Sequence, residues 1–366
     1  MFAHDVLKTL YSPLKAFEEI VKKPDIKGPL LILALFLIIT AGLQYASAVK
    51  VSDEEPMTNR DEWTETAEWT LKWASNGEES TRDADSVSGN YSVVSSVVAN
   101  ESIWMKLTGI GPINCSGDGT YERLSFRIKW VHGNGIFPYS EAALQLLSNN
   151  ENESSKLDFS DKISNSSGKW SNVTVDVGPK SQGWEPIPSW ENVTGLEFRL
   201  VWLVPSNLTM KIDDLYFAKF VPLTKYYFDG WFSSLMMSAL SFFLNWGVYG
   251  GILLLVIKLF GEKAGSWKEL FVVVGYLFSV RIVYLLVTVA LIPTLPEVRL
   301  ENLAEIWYPT LPYQAILYLS VVTDVWMAVL CTIAVRFFCN FTWKKAIGIA
   351  VLVSLLNFTL RPLIPI

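Results

Sequence analysis

Two ionisable side chains stand alone inside long apolar stretches, and they pose the first chemical question. Arg281 is the one charge in Leu270–Pro293, and Asp324 is the one charge in Tyr313–Val335. A lone charge at the centre of a bilayer costs about 2.5–3.5 kcal/mol or more, so each requires a partner. Arg281 comes 11 residues after Leu270, and Asp324 comes 11 residues before Val335. In antiparallel helices these two positions share one depth, and Asn245 falls near it. Arg281, Asp324 and Asn245 are therefore expected to form an intramembrane polar cluster. Two roles suit such a cluster: a path for a substrate or ion, or polar glue that holds helices together.

A second set of reactive types lies in the polar middle of the chain. Aromatic faces stack on the C–H faces of sugars, and Trp63, Trp69, Trp73, Trp104, Trp184 and Trp190 are all candidates for such a platform. Trp184 and Trp190 sit in a Pro/Gly-rich stretch, which makes them the preferred ligand-binding residues. Trp130 and Trp202 alternate with polar neighbours and read as core. Asp213 and Asp214 offer adjacent carboxylates for a structural calcium, or they end a strand in solvent. Calcium takes 6–8 oxygens, and the sequence does not reveal the others. Eight N-x-Ser/Thr sequons crowd the same region: Asn90, Asn100, Asn114, Asn152, Asn165, Asn172, Asn192 and Asn207. That density points to a glycosylating compartment.

The elements that must hold these groups follow from hydropathy. Hydrophobic residues make up 51% of the 366, yet the average hides a division. Residues 50–225 carry 16 Lys/Arg and 25 Asp/Glu, whereas the remainder is weakly basic. An acidic soluble block thus sits inside an apolar frame. Neither part has the basic surface of a nucleic-acid binder. A helix crosses the hydrocarbon in about 20 residues. Gly28–Val49, Trp231–Ile257, Leu270–Pro293, Tyr313–Val335 and Ala346–Ile366 each suit one span. Ala46-Ser47-Ala48 resembles a cleavage site, but the first stretch is too long for a signal-peptide core and reads as a retained anchor. Leu14, Phe17, Ile20 and Val21 share one helical face before it, as in a helix lying on the membrane surface.

Basic residues near span ends give the orientation. Lys8, Lys15, Lys22, Lys23 and Lys27 precede the first span. Lys258, Lys263 and Lys268 follow the second, and Arg336, Lys344 and Lys345 follow the fourth. The opposite side offers Arg299 and Arg361. The N-terminus is expected in the cytoplasm, with residues 50–225 and the C-terminus outside, in a cell membrane. The expected domains are a cytoplasmic amphipathic segment (1–27), a first span (28–49), an extracellular β-sandwich (50–225) and a four-span bundle (226–366).

Period-two alternation marks strands at Leu124–Trp130 and Leu196–Trp202. Tyr91–Val98, Trp170–Val177 and Leu208–Phe217 are further strands, with turn residues between them. Glu141-Ala-Ala-Leu lacks the alternation and suggests a helical turn. The fold class is an α-helical membrane bundle of five spans, plus an all-β antiparallel sandwich, jelly-roll-like, inserted between spans one and two.

Two resemblances follow from particular segments. Gly-Lys-Trp170 to Val175, Trp190 to Phe198, and Met210-Lys-Ile-Asp-Asp-Leu-Tyr-Phe217 resemble the closing strands of jelly-roll, carbohydrate-binding-module-like domains. That resemblance implies the sandwich fold and a calcium role for Asp213 and Asp214. The membrane frame resembles the Yip family of Rab-interacting, five-span proteins. Ser12-Pro-Leu-Lys-Ala-Phe-Glu-Glu-Ile, Gly265-Ser-Trp-Lys-Glu-Leu, Asp324-Val-Trp326 and Trp343-Lys-Lys-Ala-Ile-Gly348 carry it. The short N-terminal segment and the large outer domain depart from that family, so the Rab-partner role is not carried over. Dense sequons without a disulfide suit an archaeal cell surface.

Catalytic signatures are absent: no P-loop, no His-Glu-x-x-His and no Gly-x-Ser-x-Gly. Two histidines leave little general acid–base capacity. The expectation is a non-enzymatic glycoprotein without a cofactor other than calcium. Its partners are the lipid bilayer and a surface glycan or membrane protein. The alternatives are a transporter or channel component with a solute-capturing outer domain, and a carboxylate hydrolase.

Overall fold

The computed structural model describes residues 2–58, 60–117, 119–133, 139–149, 153–164, 166–187, 189–260 and 266–360. The chain divides into two compact units, Met1–Asp53 with Pro222–Ile366, and Glu54–Val221.

Among the described residues of the first unit, five helices are long and apolar enough to cross a membrane: Lys27–Lys50, Gly230–Leu259, Trp267–Thr294, Leu311–Phe338 and Trp343–Leu360. The first four match the expected spans within three residues at each end; the fifth begins three residues before Ala346, and its expected end at Ile366 lies outside the described residues. The third is interrupted at Phe278, without proline. Phe278 N–H bonds Gly275 O, and Arg281 N–H bonds Phe278 O, so the helix tightens to i→i−3 bonding there. The break lies three residues before Arg281. The core around it is aromatic: Trp246 stacks on Phe271 at 4.1 Å, and Phe242 meets Phe278 at 5.3 Å.

The N-terminal helices Phe2–Tyr11 and Pro13–Lys22 do not lie apart on a lipid surface. Ala16, Phe17 and Ile20 are buried in the same apolar cluster as the spans. Thr9 Oγ1 also meets Ser279 Oγ at 2.8 Å. The amphipathic face predicted from Leu14, Phe17, Ile20 and Val21 is real, but it docks on protein. Leu14 stays 49% exposed. A helix stripe gains as much from a bundle as from lipid, and hydropathy cannot choose between them.

Gly247, Gly250 and Gly251 of the second span are small residues of the kind that permit close helix approach. Gly247 and Gly251 have open space at the Cβ position. The tight places are Gly28, where a Cβ would meet Tyr276, and Gly275, where it would lie 2.6 Å from Pro29 and 2.8 Å from Trp246. Pro29 and Trp246 cannot swing aside. Gly275→Ala should therefore destabilise the bundle by about 1–3 kcal/mol through overpacking. Gly251→Ala should be neutral. Thermal unfolding of the full chain in detergent micelles checks both.

The second unit is an antiparallel sandwich. Its lead-in strand β1 spans Val51–Pro56. Strands β2 (Trp73–Ser75), β3 (Thr81–Asp83), β4 (Ser92–Ile113), β5 (Arg123–His132), β6 (Glu141–Ser148), β7 (Glu153–Asp158), β8 (Trp170–Asp176) and β9 (Val193–Pro222) follow. β4 and β9 are long and serve both layers. Their first and last parts pair as Val93↔Ile212, and their other halves as Met105↔Phe198, with register breaks between Val97 and Ser102. Ala99 turns the chain there with φ 49°. One layer is therefore β3, β4, β9, β5 and β8. The other is β2, β4, β9, β6 and β7. Phe126 of β5 meets Phe198 of β9 at 4.8 Å, and Trp130 meets Trp202 at 5.7 Å, so aromatic rings fill the space between layers.

The segment expected to make a helical turn, Glu141-Ala-Ala-Leu, is strand β6, paired on both sides. Its alternation is hidden because Ala142, Ala143 and Leu144 are all buried. Ala143 is small and lies between Arg199 and Asp158 on the neighbouring strands, so its outward position is covered as well.

Candidate functional site

The bundle brings the three intramembrane residues to one place. Asn245 of the second span, Arg281 of the third and Asp324 of the fourth line a cavity of about 240 Å³. Thr40, Tyr284 and Thr323 line it too. The first span delivers Thr40, the second Ser241 and Asn245, the third Arg281 and Tyr284, and the fourth Ser320, Thr323 and Asp324. The Asn245 amide donates to Ser241 O at 2.8 Å, and the Arg281 guanidinium lies over the Phe278 ring at 5.1 Å.

In the sandwich, Trp184 and Trp190 do not offer a stacking face. They are 5% and 7% exposed and pack edge-to-face at 5.8 Å. Trp184 Nε1–H donates to Asp176 O at 3.2 Å. Proline and glycine around them marked a loop correctly, but that loop folds its rings inward. Trp63 and Trp73 are buried as well, at 2% and 4%.

The outer face of the β4–β9–β6–β7 layer carries a different array. Ile103, Met105 and Leu107 point into the core, so Trp104 and Lys106 point out. Cross-strand register then sets two rows. Trp104 faces Arg199, which faces Ala143, which faces Asp158. Lys106 faces Glu197, Gln145 and Lys156 in the same order. Strands lie about 4.8 Å apart, so the rows run roughly 14 Å across the layer. Burial raises the pKa of the Glu197 carboxyl, with Lys106 and Arg199 pulling it back down. Arg199, Glu197, Gln145 and Lys106 were not foreseen. The alternation in Leu196–Trp202 already assigned two of them to the outward side; the register that aligns them with Trp104 is a tertiary fact.

Asp213 and Asp214 take separate duties. Asp213 Oδ2 accepts from the Val87 and Ser88 N–H groups. Asp214 is clamped by Arg60, with Nε to Oδ1 and Nη2 to Oδ2 both at 3.0 Å. Asp214, expected as a ligand, is thus engaged by a guanidinium. A carboxylate the sequence did not single out joins Asp213 instead. Oxygens of Asp61, Glu65 and Asp213 lie within 4.8 Å of one another. Asp61 is 8% exposed, and its carboxyl is pushed up to about 6, first by burial and then by Asp213 and Asp214. Burial also raises Asp213. Crowded carboxylates that resist ionisation, with all-oxygen donors, fit a hard cation such as calcium.

Of the sequons, Asn90, Asn114, Asn172 and Asn207 are exposed, and Asn100 and Asn192 are half-buried. Asn152 and Asn165 lie outside the described residues, as do Lys263, Gly265 and Arg361.

The Yip1 domain family matches residues 199–360. The match starts in β9 and runs through the second to the fifth span, with the first span outside it. Three segments that carried the Yip resemblance, Gly265–Leu270, Asp324-Val-Trp326 and Trp343–Gly348, fall inside it. No curated protein matches the chain significantly. Among solved structures, an exo-β-agarase aligns at 8% identity over 44% of this chain and 24% of its own, with a TM-score of 0.32. A family 11 carbohydrate-binding module from Clostridium thermocellum aligns at 14% identity over 46% of this chain and 95% of its own, TM-score 0.27. A family 30 module from a Clostridium thermocellum cellulase gives 14%, 46%, 91% and 0.30. The chain covers under two thirds of the agarase and of a second module, 24% and 57%.

Proposed function

We propose that this is a non-catalytic, multi-pass membrane protein whose sandwich lies outside the cell and binds a glycan on the outer face of β4, β9, β6 and β7. The two aligned rows that begin at Trp104 and Lys106 carry the reading. A half-exposed indole supplies a stacking surface. The neighbouring guanidinium, carboxylates, amide and ammonium groups supply donors and acceptors for hydroxyls. All stand on paired strands, so little order is lost on binding. Orientation follows from the lysines and arginines gathered at one set of span ends. The test is a glycan array probed with the full chain in lipid nanodiscs. Binding to a defined glycan set supports the reading; an array with no signal above empty nanodiscs removes it.

The same reading gives the sandwich a calcium ion held by Asp61, Glu65 and Asp213, with Arg60 and Asp214 fixing the loop beside it. When bound, the cation neutralises the crowded carboxylates. Without it, a raised Asp61 favours the folded state below its ordinary value of 3.8, and that stability is lost as pH rises through about 6. Asp61→Asn should remove this pH dependence and, in EGTA at pH 7, stabilise the sandwich by about 1–2 kcal/mol. Calcium at a hundredfold excess over Kd should raise the wild-type Tm by about 5–10 °C and leave Asp61→Asn unmoved. Scanning calorimetry in calcium and in EGTA checks this; a wild type indifferent to calcium rejects the ion.

A further inference from the structure

The segments joining the second span to the third, and the fourth to the fifth, gather positive charge at one end of the bundle. Residues 258–269 and 336–345 hold Lys258, Lys263, Lys268, Arg336, Lys344 and Lys345 against Glu262 and Glu269. Ring contacts tie the described part of this surface together. Lys345 Nζ lies 4.5 Å from the Phe341 ring centroid and 6.0 Å from that of Phe260, so the fifth span's first turn meets the second span's end. Arg336, in the last turn of the fourth span, lies 6.0 Å over the Trp343 ring. Lys258, Arg336, Lys344 and Lys345 thus share one patch, and neither 253–260 nor 336–348 contains a carboxylate. The N-terminal helices pack on the fourth span, but their Glu18 and Glu19 are engaged by Lys22 and Lys8.

The surroundings decide which anion fits. Phe260, Trp267 and Trp343 are exposed, as rings at a membrane–water interface are, which sets the patch at headgroup depth. Leu255 stands three residues before Lys258, and Ile347 three after Lys344, so each shares a helix face with its lysine. Both are exposed. Each lysine is in this way followed, toward the membrane centre, by bare apolar surface. A free phosphate would use the charges and leave that surface uncovered. A zwitterionic headgroup brings its own cation, which cancels most of the attraction. An anionic phospholipid uses both features, with its phosphate against the ammonium and guanidinium groups and its acyl chains along the helices.

We propose that this patch binds an anionic phospholipid, its phosphate held among Lys258, Arg336, Lys344 and Lys345 and its chains along Leu255 and Ile347. The site is independent of the glycan reading. In the test, the full chain in neutral detergent micelles is titrated with phosphatidylglycerol or phosphatidylcholine, and bound lipid is read by native mass spectrometry. Phosphatidylglycerol should be held about fivefold or more tightly than phosphatidylcholine, and excess inorganic phosphate should not displace it. Lys344→Gln with Lys345→Gln should weaken retention by about tenfold or more. Lys344→Arg with Lys345→Arg keeps the charge and should retain the lipid as wild type does. Lys15→Gln with Lys23→Gln removes the same charge from exposed lysines of the N-terminal helices and should change nothing. Lipid-free melting of each variant should match wild type, so that lost retention is not lost fold. Equal retention of both lipids, displacement by phosphate, full retention in the Lys344→Gln, Lys345→Gln protein, or an equal loss in the Lys15→Gln, Lys23→Gln protein would each overturn the site.

Discussion

Asp324→Leu should destabilise the bundle by about 2.5–3.5 kcal/mol, the cost of leaving Arg281 charged at mid-membrane. Asp324 and Arg281 line one cavity, and nothing else among its lining residues carries charge. Arg281→Leu should cost a similar amount. The double substitution should cost less than either alone, because two apolar side chains of comparable volume leave no stranded ion. The coupling in this cycle should therefore reach about 2 kcal/mol or more. Unfolding of the four proteins in bicelles measures it. Additive single effects would show that the two charges act separately.

Trp104→Ala should weaken glycan binding by about 10–100-fold, as loss of a central aromatic contact does. Arg199→Ala, one strand away in the same row, should weaken it by a comparable factor. Neither should unfold the sandwich, because both side chains lie on the outer face. Trp184→Ala provides the contrast. Its ring is 5% exposed, inside the core. Its removal should cost about 3–5 kcal/mol of stability and change binding only through unfolding. Isothermal titration against the best array glycan, paired with thermal melts, separates the two. A Trp184→Ala protein that melts like wild type but loses the glycan would invert the assignment.

The pattern of success and failure in the sequence reading has physical causes. The spans were legible because hydrocarbon solvation acts on every residue of a long window, so single errors average out. Strands β4, β5, β8 and β9 were legible because one of their faces meets a core. β6 was not, since small Ala143 is buried on the face that should have been polar. The acidic cluster was half legible. Asp213 was found, but Asp61 and Glu65 come from some 150 residues earlier in the chain and reach it through tertiary folding alone. The tryptophans were misassigned because residue type signals affinity for apolar contact without saying whether protein or sugar supplies it. Register decides that question, and it turns the half-buried Trp104 to the outer face.

The sandwich is expected to stand across the membrane from the basic ends of the spans. Cys115 and Cys331 are buried, and burial pushes the Cys115 thiol up to about 12, so neither competes for a thiol reagent. In a Cys339→Ser background, Ile187→Cys places a thiol at an 81% exposed position of the sandwich. Lys344→Cys places one in the first turn of the fifth span. A membrane-impermeant maleimide applied to intact cells should label Ile187→Cys at once and Lys344→Cys only after permeabilisation. Labelling in the opposite order would contradict the account.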